Sequence, residues 1–335
     1  MPNPKIELPA TDAYVHVQLL NGGSMTARSH MLHAGEEPTR EFRLYNWAFF
    51  IHHAKQGRRM LWDLGMSSVP EDFPPAIANG PLKEVQAQDP REPIEKQIER
   101  RNGVAADEID TILLRFENNE SPFVGWMHFL TYIHSHAHWD HCRPVSQTFK
   151  NATVLFGPGT SEYCAPGHLV NPSSPWDGRY FDPERATERW ETLQGPWTRF
   201  GPFEHAMDFF GDGSFWVIQA PGHMPGNLGA CARLSTGEWV MLASDCCHSR
   251  ALLDGTKEFG TFELNGNMAC LHTDVTAAKD TLSRIRLMEK ELGVHVALAH
   301  DPTWMQDEND PVLLSLLDEK FVEDMRAAFP QQQPF

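Results

Sequence analysis

Residues 134–141 read His-Ser-His-Ala-His-Trp-Asp-His, four histidines and one aspartate in eight positions. Imidazole and carboxylate are side chains that lend a lone pair to a metal ion at neutral pH. A solvated loop has no need of such a cluster, and a packed core could not satisfy its polar atoms cheaply. Within it, His136, His138, Asp140 and His141 spell His-x-His-x-Asp-His. Three more candidates stand where strands are expected to run out into loops: His223 in APGHMPG, Asp245 in ASD and His300 in AHD. Strand ends are rigid, so side chains there can be aimed at one point. Seven nitrogen and oxygen ligands are too many for one tetrahedral zinc. They suit two metals, each with three terminal ligands and one shared carboxylate. Without thiolates the set points to zinc first, with manganese, iron or cobalt as alternatives.

The elements that would position these residues can be read from pattern. YVHVQLL (14–20), LYNWAFFIHH (44–53) and MLWDLG (60–65) read as an antiparallel meander, the last two joined through AKQGRR. PIEKQIERRNG predicts a helix started by Pro93 and stopped by Gly103. IDTILL (109–114) and ATVLFG (152–157) look like buried strands. Three more follow in SFWVIQAPGH, LGACARL and EWVMLASD. Residues 274–293 predict the longest helix, capped by Asp274 or Thr273 and ended by Gly293, before a final strand in VHVALAHD. The stretch 158–206, with Trp176, Trp190 and Trp197, shows little periodicity and reads as a substrate-pocket loop region. No repeat or linker divides residues 1–335, so one domain is expected.

Composition narrows the partners. With 28 basic against 45 acidic residues the formal charge is -17. Such a surface repels nucleic acid and anionic membrane, and a small-molecule substrate is expected instead. The six scattered cysteines form no C-x-x-C pair, and the opening residues lack a basic-then-apolar leader. Reduced thiols and a cytoplasmic location are the expectation. The other histidines, His30, His33, His52, His53 and His134, are expected to be structural.

In order and rough spacing, WDLG (62–65), His-x-His-x-Asp-His (136–141), APGHMPG (220–226), ASD (243–245) and AHD (299–301) resemble the metallo-β-lactamase superfamily. Within it the likeness is to N-acyl homoserine lactonases and to a fungal lactonase and γ-lactamase branch that includes enzymes opening benzoxazolinone-type rings. The resemblance implies an α/β fold of four layers, αββα, with two mixed sheets flanked by helices. It implies that His136, His138 and His223 hold one zinc, that Asp140, His141 and His300 hold the other, and that Asp245 bridges them. Many bacterial lactonases carry a tyrosine three residues beyond the bridging aspartate. Here His248 stands there, and it is expected to give a hydrogen bond or a proton to the leaving group. The catalytic expectation is therefore Asp140, Asp245 and His248, acting with water acidified between two metals on a small lactone, lactam or cyclic carbamate. The rival readings are a glyoxalase-II-like thioesterase and a metal-binding protein without significant turnover.

In that family the strand runs straight into the histidine motif, whereas here residues 115–134 intervene. Joining Leu114 to Ser135 would restore IDTILLSHAHWDH. The twenty codons keep the reading frame, and Arg115-Phe116 and His134-Ser135 can be coded with a GT donor and an AG acceptor. A retained intron is the expectation, with 115–134 standing out as a poorly packed loop, and the alternative is a real family-specific loop over the active site.

Overall fold

The computed structural model describes residues 6–67, 69–106, 130–150, 152–264 and 266–328. Its strands are β1 (His16–Arg28), β2 (Glu41–His53), β3 (Arg58–Trp62), β4 (Leu130–Ile133), β5 (Ala152–Phe156) and β6 (Trp190–Thr192). Then come β7 (Thr198–Phe200), β8 (Phe203–Asp208), β9 (Phe215–Gln219), β10 (Leu228–Arg233) and β11 (Trp239–Leu242). The last are β12 (Phe262–Leu264), β13 (Asn267–Ala269) and β14 (His295–Ala297).

Two six-stranded sheets result, ordered β1-β2-β3-β4-β5-β6 and β14-β11-β10-β9-β8-β7, with β12 and β13 a separate hairpin. Both large sheets are mixed. β1–β3 pair antiparallel and β3–β6 parallel, while in the second sheet only β11 and β14 run parallel. Side-chain alternation sorts the layers. Along β2, Trp47, Phe49 and Ile51 pack against Val217, Ala230 and Leu242 of the other sheet. Ala48 and Phe50 turn the other way, onto Ile94 and Ile98 of the helix Ile94–Asn102. Outside the second sheet, Ile218, Cys231 and Met241 meet Leu282, Ile285 and Met288 of the helix Val275–Leu292. This is the expected four-layer αββα sandwich.

The long helix begins and ends as its sequence predicts: the Asp274 carboxylate accepts from the Ala277 N–H at 2.9 Å, and Gly293 closes it at φ 67°. No helix among the described residues is long and apolar enough to cross a membrane.

Two expectations change. The 158–206 stretch is not structureless: it carries the short helices Thr160–Cys164 and Gly178–Phe181, then β6, β7 and the start of β8. Its strands are three to six residues long, too short for periodicity to register. The end of the 115–134 segment is not an extruded loop either. Leu130–Ile133 form β4, between β3 and β5, with Tyr132 and Ile133 fully buried. The tetrapeptide abutting the histidine motif is the one the chain can place there without a detour. IDTILL (109–114) and residues 115–129 lie outside the described residues.

Candidate metal centre

Each candidate ligand follows the carboxyl end of a strand. His136–His141 follow β4, His223 follows β9, Asp245 sits in a single 3₁₀ turn after β11, and His300 follows β14. The first group comes from one sheet and the other three residues from the second. The Leu228 N–H donates to Ser135 O at 2.8 Å, joining the two sheets beside the cluster. Gly22 and Gly65 let the loop after β3 cross β1 at a backbone distance no Cβ would tolerate. That crossing brings Asp63 under the histidine loop.

The structure brings all seven predicted residues together. His136, His138, His223 and Asp245 form one group whose ligand-type atoms lie within 4.8 Å of one another, and Asp140, His141 and His300 form a second. Asp245 faces both. Its Oδ2 is 3.6 Å from His136 Nε2 and 3.4 Å from His223 Nε2, while its Oδ1 is 3.3 Å from His141 Nε2 and 3.0 Å from His300 Nε2. His248, expected only as a helper, reaches 3.3 Å from Asp245 Oδ2 and makes a third group with Asp245 and His300. All are buried except His138, which is partly exposed.

The hydrogen bonds around the cluster decide where its protons are. His300 Nδ1 lies 2.6 Å from the Tyr45 carbonyl, which can only accept, so Nδ1 carries the proton. His141 Nδ1 is 3.0 Å from the Asp63 carboxylate and donates likewise. Ser135 Oγ gives its one proton to Asp63 at 2.8 Å, so it accepts from His136 Nδ1 at 3.0 Å. The inward Nε2 atoms of His136, His141 and His300 therefore hold lone pairs in the neutral rings. His141 and His300 turn theirs on each other at 3.3 Å, in front of two carboxylates. Lone pairs and negative oxygens converging at such distances repel unless a cation lies among them. The all-nitrogen-and-oxygen donor set fits divalent metal ions.

Protonation tendencies agree. Burial holds the His136 and His223 imidazoles well below their ordinary range, and lowers His138 to about 4. Burial opposes ionisation of Asp140 and Asp245, yet the facing imidazoles outweigh it and keep both acids below the usual carboxylate range. Burial also opposes charging His141 and His300, but Asp245 first and then Asp140 raise both. Here a proton takes the place that a metal cation would fill.

Four residues of this neighbourhood escaped the sequence reading. Asp63 stands inside the quoted WDLG and holds Ser135 and His141. Ser135 sets the His136 tautomer. Asn46 donates from Nδ2 to Asp140 Oδ2 at 3.0 Å. His272 packs against His223 and His248 with ring centroids 5.0 and 5.4 Å apart. The WDLG motif was signal enough for Asp63; nothing local marks the other three. His134 is fully buried between Phe156 and Tyr180, in none of the metal groups, as expected of a structural histidine. Cys246 and Cys247 are buried, and burial raises the Cys246 thiol to about 12, which suits inert packing.

Around the centre, Trp176 stacks on His138 with centroids 5.5 Å apart. Trp190 instead packs on Phe156 and Phe181, and Trp197 against the core between the sheets. Trp139, within the histidine motif, and Leu271, next to His272, pack with Met31 and Phe42 against a buried apolar cluster of Met25, Leu32 and Leu44.

No family model matches the chain. Over 320 residues, 90% of its length, it is 27% identical to a cytochrome P450 monooxygenase of Penicillium brevicompactum, and the match takes up 35% of that protein. The chain thus spans about a third of the length of the curated relatives it matches first. It is 30% identical over 212 residues to a metallo-hydrolase of Annulohypoxylon moriforme (62% of this chain, 49% of that protein). It is 26% identical over 266 residues to a γ-lactamase of Fusarium pseudograminearum (73% and 56%). Among solved structures, an N-acyl homoserine lactone hydrolase with N-hexanoyl-L-homoserine at its catalytic metal centre matches in fold. The TM-score is 0.60 at 14% identity, over 89% of this chain and 97% of that one.

Proposed function

We propose that this chain is a member of the metallo-β-lactamase superfamily and a dinuclear zinc hydrolase that opens a small cyclic ester, amide or carbamate. The observation that carries the reading is the convergence of three inward imidazole lone pairs on the two oxygens of Asp245. His136, His138 and His223 would hold one metal, Asp140, His141 and His300 the other, and Asp245 would serve both. When bound, such a pair supplies an acidified water and a Lewis acid for a carbonyl oxygen.

The protein's own side chains do the rest. Asp63, Ser135, Tyr45 and Asn46 hold the ligands in one tautomer and orientation. Asp245 can accept a proton as the ring opens. His248, beside it, can donate to the departing oxygen or nitrogen. Trp176 would wall the entrance at His138.

Metal analysis of the purified protein, followed by a panel of lactones, γ-lactams, benzoxazolinone and an acyl-glutathione thioester, tests this. About two zinc ions per chain are expected from the ligand count. The ring substrates should release acid faster than the thioester releases thiol, and Asp245→Asn should lose both metal and turnover. Full ring-opening activity with one metal or none would overturn the dinuclear reading, and faster thiol release would assign a thioesterase.

A further inference from the structure

A histidine that binds a metal through one ring nitrogen carries its proton on the other, and that N–H needs an acceptor to fix tautomer and ring angle. Three of the candidate ligands have one. His300 Nδ1 is held by Tyr45 O, His141 Nδ1 by Asp63 and His136 Nδ1 by Ser135 Oγ. His138 turns Nδ1 inward, 2.8 Å from His223 Nε2, and its ring is partly exposed. His223 is the exception. Its Nε2 faces the cluster, so Nδ1 points away, buried and without a partner.

The ring beside His223 is His272. The two centroids are 5.0 Å apart with planes at 72°. His272 is 4% exposed, and neither of its nitrogens has a hydrogen-bond partner. Phe259 packs against it at 4.3 Å. The backbones are stitched together: the Thr273 N–H donates to His223 O at 2.9 Å and the Asp274 N–H to Gly222 O at 3.0 Å. Gly222, at φ 129°, lies against Ala278 where a Cβ would not fit, so the His223 turn is pressed onto the start of the helix that follows His272. One orphan is a nitrogen that must carry a proton when its ring binds metal. Its neighbour is an imidazole with a lone pair to spare. The two rings already meet edge to face.

We propose that His272 is the acceptor for His223 Nδ1–H and thereby a positioning residue of the metal centre. This rests on the reading that His223 holds a metal. The test uses the full chain stripped of metal by a chelator, then titrated with zinc in competition with a chromophoric chelator. His272→Leu should weaken zinc binding by roughly 10–100-fold. The same variant, stripped, should unfold at or above the wild-type temperature, because leucine fills the pocket without unpaired nitrogens. His272→Asn or His272→Gln, whose amide oxygen can accept, should recover most of the affinity. Wild-type zinc affinity in His272→Leu, or amide variants as weak as the leucine one, would overturn the assignment. If the unaltered chain takes up no zinc, the reading of His223 as a ligand fails instead, and His272 loses its role with it.

Discussion

Asp245 presents its two oxygens to two different sets of imidazoles, and His248 approaches the oxygen that faces His136 and His223. A side chain there can be a ligand or a proton donor, and metal content separates the two. His248→Ala should lower turnover on the best ring substrate on the order of 10²-fold while zinc content stays at the wild-type level. Parallel loss of zinc would make His248 a ligand, and unchanged turnover would make it a packing residue. The seven candidate ligands that the structure gathers were legible in the sequence because each sits in a short motif at a strand end. Asn46, Ser135 and His272 were not, since only long-range packing gives them their roles. Asn46, for instance, is an ordinary strand residue until the Asp140 loop lands on it.

β4 and the residue that follows it bury polar groups without partners. Tyr132 and His134 are fully buried, and Tyr132 Oη and both nitrogens of His134 lack hydrogen-bond partners. Burial lowers the His134 imidazole to about 3, and Asp63 lies 4.0 Å away, out of reach. Counting back from Ser135, a chain without residues 115–134 would set Leu114 in the place of His134 and Ile112 in that of Tyr132. Two apolar side chains would then stand where two unpaired polar ones are buried, each of which costs about 1–3 kcal/mol. His134→Leu in the full chain should therefore raise the unfolding temperature by a few degrees. Deleting 115–134 should raise it further and increase metal uptake. A deletion variant that melts lower than the full chain, or mature transcript retaining these sixty nucleotides in the active protein, would rule out the intron reading. Strand pattern revealed most of the sheet order's members, but not β4. IDTILL has the stronger strand composition, while LTYI has the advantage of touching the motif directly. Propensity does not weigh chain connectivity.

At the scale of the whole molecule, the centre is where the two sheets are clasped. One sheet contributes His136–His141 and the other His223, Asp245 and His300. A bound metal pair stabilises the folded state alone, by mass action. Chelation should lower the unfolding temperature of the wild-type protein, and added zinc should restore it. An unfolding temperature indifferent to chelator would deny the clasp. The clasp also has an order in time. During synthesis the histidine motif leaves the ribosome well before His300, by roughly 10–30 s at 5–20 residues per second. β1 hydrogen-bonds through Leu19 to Leu316, near the last residues described. Until His300 arrives, a metal held by the early histidines would lack the ligands that the second sheet contributes.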